Sequence, residues 1–294
     1  MADSVPIPKT NEDLAAHPTS FAPDLLKGQT VFVCGGGSGI GRATAWLAAR
    51  LGAQVILGGR TEEKLRSVAD AINDRDGLSA SLQVLDIRDS ASVERTFEAI
   101  GDEFGALDLL INSAGGQFPQ AAIDYAEKGW QTIINTNLNG TWNMMHAAAQ
   151  HWRSRERGGS IVNIVVVLQG LFGVAHTCAA RAGVIAFSEN AAVEWAPLGI
   201  RVNCIAPGCI ETEGWRVYSE QARARYPRTN PMMRVGSPWE IAEACVFVGG
   251  PGGRFINGET LVVDGGGRHW GEIWTTGKPE YFAAATRLWD DGAA

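Results

Sequence analysis

Thr30-Val31-Phe32-Val33-Cys34-Gly35-Gly36-Gly37-Ser38-Gly39-Ile40-Gly41 decides the fold. Residues 30–34 carry no charge and run into glycines, the mark of a short strand buried on both faces. Residues 40–51 then have helical spacing. The glycines between permit a tight turn and close backbone approach to a pyrophosphate. The helix start that follows offers free N–H groups and the positive end of its dipole. Gly35, Gly37, Ser38, Gly39, Ile40 and Gly41 are therefore expected to touch a dinucleotide.

The same alternation continues outward. Residues 54–57, 81–85, 107–111, 161–167, 201–205 and 260–263 read as strands. Residues 62–73, 90–104, 130–152, 179–195 and 238–248 read as helices between them. Strand-helix alternation predicts an α/β protein: a single Rossmann domain over residues 27–267, a doubly wound parallel sheet of about seven strands with helices on both faces. Residues 1–26 are polar and proline-rich and are expected to form a surface arm. Residues 206–236 break the alternation and suit a lid. Residues 268–294 form a tail with Trp270, Trp274 and Trp289.

The 294 residues are 45% hydrophobic, enough for a large core, and carry a net charge of -7. An acidic chain without a basic run argues against nucleic acid or an anionic membrane as partner. The five cysteines lack metal-ligand spacing and read as thiols in a reducing compartment. The first residues lack the apolar run of a signal peptide, and no stretch approaches the roughly 18 apolar residues of a membrane span. The expectation is a cytoplasmic protein with a small-molecule substrate, no nucleic-acid or membrane partner and no metal.

The cofactor is read from the end of the second strand. An NAD site carries an acid there for the ribose hydroxyls. Here Leu57 is followed by Gly58-Gly59-Arg60. Arginine suits a 2′-phosphate, so NADP(H) is expected. Arg42 is placed to assist.

With these motifs the chain resembles the short-chain dehydrogenase/reductase family over roughly residues 27–267. The glycine loop resembles the family's T-G-x-x-x-G-x-G, with Cys34 in place of threonine. Asp86-Ile87 resembles the segment contacting adenine. Asn112-Ser113-Ala114-Gly115 resembles N-N-A-G. Asn137-Leu138-Asn139-Gly140 matches the segment of the catalytic asparagine. Pro207-Gly208, with Ile210 and Thr212 following, resembles the motif near the nicotinamide amide. The resemblance implies cofactor contacts at these positions and a homodimer or homotetramer.

The catalytic segment departs from the family. Its Y-x-x-x-K places Thr177 at tyrosine and Arg181 at lysine, and the upstream serine segment reads Asn163-Ile164-Val165-Val166. An alkoxide-like oxygen needs a proton donor of suitable pKa. A threonine hydroxyl is a poor acid, and arginine stays protonated. Reduction of an activated C=C bond asks for less, because charge moves onto a carbonyl oxygen that fixed hydrogen-bond donors can stabilise. Asn137, Thr177 and His176 are the expected donors, with Arg181 on the ribose. The segment His176 to Val184 resembles trans-2-enoyl-CoA reductases and the related 2,4-dienoyl-CoA reductases, which implies an enoyl thioester, possible CoA chemistry included, or an enone as substrate. Arg223, Arg225, Arg228 and Arg234 suit the phosphates of a CoA carrier. Two alternatives stay open: a carbonyl reductase or alcohol dehydrogenase with a non-standard donor such as His176, and an NADP(H)-binding protein that has lost catalysis.

Overall fold

The computed structural model describes residues 6–168, 173–270 and 280. Trp274, Trp289 and most of the tail lie outside the described residues. Seven strands, β1 (Thr30–Cys34), β2 (Gln54–Gly59), β3 (Ser79–Val84), β4 (Leu109–Asn112), β5 (Gly159–Ile164), β6 (Ile200–Pro207) and β7 (Thr260–Val263), form one sheet in the order β3-β2-β1-β4-β5-β6-β7. All pairings are parallel. Strand order reverses between β1 and β4, which opens a crevice beyond their carboxyl ends.

Nine α-helices are present among the described residues: α1 (Asn11–Ala16), α2 (Gly39–Arg50), α3 (Glu62–Asn73), α4 (Ser90–Phe104), α5 (Glu127–Ile134), α6 (Gly140–Ser154), α7 (Ala175–Glu194), α8 (Glu220–Arg225) and α9 (Pro238–Gly249). Two large apolar clusters form the core. One contains Trp46, Leu47, Leu65, Ile241 and Val246 from α2, α3 and α9. The other contains Phe97, Met144, Met145 and Trp152 from α4 and α6. The strands between contribute to both clusters, which is why β1 is buried at every position and apolar from Val31 to Cys34.

Four local outcomes differ from the periodicity. The helical stretch read over residues 130–152 extends from 127 to 154 but is interrupted by a π-turn at Asn135–Asn139. A π-turn widens the helix by one residue, a device common at functional sites. The last strand before the catalytic segment ends at Ile164, not at residue 167. The next helix begins at Ala175, not at residue 179, because Thr177 and Cys178 already donate to the Val174 carbonyl. That places His176 and Thr177 in its first turn. Finally, the arm is packed rather than merely draped over the surface. Thr10 and Asp13 form a capping box that starts α1. Leu14 and Leu26 are fully buried, and Arg50 binds the carbonyls of Leu14 and His17 at 3.0 and 2.6 Å.

Candidate functional site

The glycine loop is built on backbone contacts that exclude side chains. The Gly35 N–H donates to the Gly58 carbonyl at 2.8 Å, and φ at Gly35 is +89°. A Cβ there would stand 2.7 Å from the Ala114 nitrogen, and one on Gly41 would stand 2.2 Å from the Gly35 oxygen. Ser38 is the N-cap of α2 but makes no side-chain capping bond. The Gly39 N–H instead donates to Glu213 Oε2 at 3.0 Å. A carboxylate from the segment after β6 thus stands in for an anion at the helix N-terminus, where the dipole favours negative charge. Ile40 follows in the first turn of α2.

Arg42 does not face the end of β2 as expected. Its guanidinium pairs with Glu213 at 2.7 Å and donates to the Lys9 carbonyl at 2.7 Å, while Lys9 bridges to Glu211 at 2.9 Å. These contacts tie it to the arm and to the segment after β6. Arg60 remains exposed just beyond β2. Its charge is felt at Asp86, whose carboxyl is held below its usual range chiefly by hydrogen bonds from Arg88. Arg88 Nε grips both Asp86 oxygens, at 2.9 and 3.0 Å. An open hollow of about 520 Å³ lies beside this pair, lined by Asp86, Arg88, Asp89, Thr132, Asn135 and Asn139. Ile87 is buried against Gly140.

Asn112 is engaged through its amide nitrogen, while its Oδ1 is buried without a partner among the described residues. Its amide donates to Asn163 Oδ1 at 2.8 Å, and Asn163 donates on to Ser188 at 3.0 Å, so the pair ties β4 to β5 inside the sheet. Beyond it, Ala114 and Gly115 lie against Arg181. Arg181 Nη2 donates to the Ala114 carbonyl at 3.4 Å, and a Cβ on Gly115 would meet the same nitrogen at 2.2 Å.

The catalytic candidates meet across one turn. Asn137, in the π-turn, accepts the Gly116 N–H at Oδ1 (3.0 Å). Its Nδ2 donates to the Gly116 carbonyl (2.8 Å) and to Thr177 Oγ1 (2.7 Å). The Gly116 pair fixes the carboxamide orientation. The Thr177 oxygen therefore receives a bond while its own proton stays available to donate. His176 is fully buried. Its Nδ1 accepts the Thr177 N–H at 2.8 Å. The ring stacks on Tyr125 at 4.6 Å and meets Phe118 edge-on at 4.4 Å. Burial lowers its pKa, so the imidazole is neutral at neutral pH. It steadies the helix start next to the hydroxyl.

Arg181 lies one turn further along α7 and is only 6% exposed. Burial pulls its pKa down to about 10, yet it stays charged at neutral pH. Its Nη1 is buried without a partner among the described residues. Such an orphaned donor marks a place for a polar ligand. At the far rim, the Gly208 N–H donates to Val263 at 3.0 Å, Ile210 is buried, and Thr212 packs against Gly39. Val165 and Val166 at the end of β5 present no hydroxyl, and the nearby Ser188 hydroxyl is spent on Asn163 and the Val184 carbonyl.

These features fit a nicotinamide dinucleotide. The glycine cradle and α2 N-terminus suit its pyrophosphate, and the orphaned Arg181 suits ribose hydroxyls. Sequence reasoning missed Glu213 and Gln117. No local motif marks them, because their contacts arise only when residues 208–236 fold back over the loop. In that segment Arg234 is committed to Glu240 at 2.6 Å, which removes it from the expected phosphate-binding set, while Arg223 and Arg225 are exposed. Among the described residues no group of three His, Cys, Asp or Glu side chains is placed to hold a metal, and no helix is long and apolar enough to cross a membrane.

A family model described as Enoyl-(Acyl carrier protein) reductase matches residues 35–268. A protein of Bacillus subtilis named "Probable 2,4-dienoyl-CoA reductase, (2E)-enoyl-CoA-producing" is 38% identical over 82% of the chain and 97% of its own length. A 3-oxoacyl-acyl-carrier-protein reductase of Vibrio harveyi is 39% identical over 82% of the chain and 98% of its own length. Among solved structures, a gluconate 5-dehydrogenase from Burkholderia cenocepacia in complex with NADP and tartrate is 30% identical, covers 85% of this chain and 100% of its own, and superposes with a TM-score of 0.79.

Proposed function

The chain belongs to the short-chain dehydrogenase/reductase family, and from that premise we propose that it is an NADPH-dependent reductase of a carbonyl-activated C=C bond, such as that of an enoyl thioester or enone. The donor set carries this reading. Asn137 donates to Thr177, and among the described residues no tyrosine or lysine joins them in α7. Thr177 can donate a hydrogen bond to an oxygen but cannot readily give up a proton, which suits an enolate better than an alkoxide. The dienoyl-CoA reductase relative supports a thioester substrate.

When bound, the nicotinamide supplies a hydride from its C4 carbon. Arg181 would hold the adjoining ribose through its orphaned Nη1 and place a positive charge near the ring. Gly35, Gly37, Ser38, Gly39, Ile40 and Gly41 would cradle the pyrophosphate. Asp86 and Ile87 would flank the adenine, while the main chain of residues 112–115 and of Pro207, Gly208, Ile210 and Thr212 would close around the nicotinamide side. An enoyl thioester reduced at its β-carbon develops charge on the carbonyl oxygen, and the Thr177 hydroxyl, oriented by Asn137, stabilises it. His176 positions Thr177. Water protonates the α-carbon.

The decisive assay supplies NADPH with crotonyl-CoA, then with ketones, and follows absorbance at the nicotinamide band. Reduction of crotonyl-CoA is expected. Turnover of ketones alone would instead favour carbonyl reduction, the reading supported by the Vibrio relative. Tight NADPH binding with no turnover would favour a binding role.

The choice of NADP(H) over NAD(H) rests on Arg60, exposed after β2 with no acid in that position. Arg60→Ala is expected to weaken NADPH by roughly ten- to a hundredfold, the worth of charge-assisted phosphate bonds, and NADH much less. Equal losses for the two cofactors would refute the assignment. A cytoplasmic location and a homodimer or homotetramer complete the proposal. Trp142 on α6 and Val193 on α7, 44% and 77% exposed, support self-association through these helices.

A further inference from the structure

The family's tyrosine is missing from α7, but a phenol bonds to Gln117, the residue next to the backbone that holds Asn137. Tyr218 ends the short 3-10 turn Glu213–Val217 in the segment that folds back after β6. Its oxygen accepts a hydrogen bond from Gln117 Nε2. Gln117 directly follows Gly116, the residue whose N–H and carbonyl hold the Asn137 carboxamide, and Asn137 in turn donates to Thr177. Two hydroxyls are thus each fed by a side-chain amide, and the two amides meet at Gly116-Gln117. The Gln117 bond thus sets the phenol one residue from the backbone that orients the Asn137 carboxamide.

The arrangement is preorganised. The Tyr218 ring meets Tyr226 edge-on at 5.7 Å, and Tyr226 meets Trp215 edge-on at 4.8 Å. Burial raises the pKa of the phenol, so it stays protonated at neutral pH. Its oxygen already accepts from Gln117, which leaves the O–H to donate elsewhere. A phenol is also a stronger donor than an aliphatic hydroxyl. Neither Thr177 nor any other α7 residue supplies one.

We infer that Tyr218 is the second hydroxyl donor to the substrate carbonyl oxygen, acting with Thr177 to form an oxyanion hole whose two halves come from different walls of the site. Gln117 is a positioning residue that sets the phenol's orientation. Tyr218 donates a hydrogen bond and keeps its proton, so the protonation of the substrate carbon is left to water. The inference rests on the reading of this site as one that acts on a carbonyl-bearing substrate. It adds a specificity consequence: the segment after β6 must be folded over the loop for the oxyanion hole to be complete.

The test uses the full chain loaded with NADP⁺, which cannot reduce the probe, and reads the C=O stretch of bound crotonyl-CoA by Raman difference spectroscopy. Two donors should lower the frequency relative to free crotonyl-CoA. Tyr218→Phe should lose part of that shift, Thr177→Val another part, and the double variant nearly all of it. In turnover with NADPH, Tyr218→Phe should reduce kcat by about a hundredfold, the usual effect of deleting one such donor, with KM and NADPH affinity little changed. Gln117→Met should give a smaller loss of both signals, since the phenol remains. A purely structural role would leave the carbonyl frequency untouched. An unchanged frequency and kcat in Tyr218→Phe overturns the inference. If the wild-type protein reduces ketones only, the C=C reading fails, and Tyr218 is judged by the same shift in bound cyclohexanone. Failure of both probes to bind overturns both readings.

Discussion

Replacing Arg181 by methionine is expected to raise the melting temperature of the unliganded protein while weakening dinucleotide binding. The two effects share one cause. The guanidinium is buried, and among the described residues no carboxylate pairs with it. It makes one long bond to the Ala114 carbonyl, and its Nη1 has no partner among those residues. Burial lowers its pKa from the ordinary guanidinium range to about 10, a cost on the order of 3 kcal/mol to the folded state at neutral pH. The sign follows from the depressed pKa of a base. Below pH 10 folded and unfolded chains both carry the charge and the cost is complete. It fades only as pH rises from about 10 toward the ordinary guanidinium range. Methionine fills similar space without a charge to desolvate. Exchange of a buried charge for an apolar group is often stabilising by about 1–4 kcal/mol, so a rise of roughly 4 °C is expected. The lost charge-assisted bonds to ribose should weaken binding by roughly ten- to a hundredfold. Thermal denaturation with and without NADPH, paired with a fluorescence titration, checks both signs. A lower melting temperature with unchanged affinity would show that Arg181 serves the fold.

Gly41→Ala should abolish dinucleotide binding and lower stability together. The added methyl would stand 2.2 Å from the Gly35 oxygen and 2.7 Å from its carbonyl carbon. Both are backbone atoms, so no side chain can swing aside. Relief requires α2 to move off the end of β1, and the pyrophosphate cradle is made of that contact. Overpacking typically costs about 1–3 kcal/mol, and a backbone collision belongs at the upper end. Gly59→Ala is the control, since its methyl would meet only Leu65, at an ordinary 3.5 Å. Wild-type NADPH affinity in Gly41→Ala would refute the account of the loop. Equal damage in Gly59→Ala would point to general loss of folding.

The sheet, its parallel sense and the glycine loop were legible in the sequence because they rest on local patterns. A strand buried on both faces must be apolar throughout, as Thr30–Cys34 nearly is, and a helix with one buried face must repeat near 3.6 residues, as in Glu62–Asn73. Gly35 and Gly41 are demanded by backbone distances that no other residue meets. The absence of the expected tyrosine and serine was equally plain, since it is a matter of residue identity.

What the sequence left unmarked depends on contacts between distant segments. The π-turn at Asn135–Asn139 looks like uninterrupted helix, because a one-residue widening leaves the apolar spacing almost intact. The spending of Asn112 on Asn163 needs β4 and β5 side by side. The capture of Arg42 by Glu213, and of the α2 N-terminus by the same carboxylate, needs residues separated by more than 170 positions to meet. The same holds for Tyr218 and Gln117, about a hundred positions apart. Residue types and periodicity determined the fold class, the cofactor cradle and what the catalytic segment lacks. Only the tertiary structure decided which side chains meet beside that segment, because hydrogen-bond partnership is set by proximity in space, and a chain's local spacing carries no record of what folds over it.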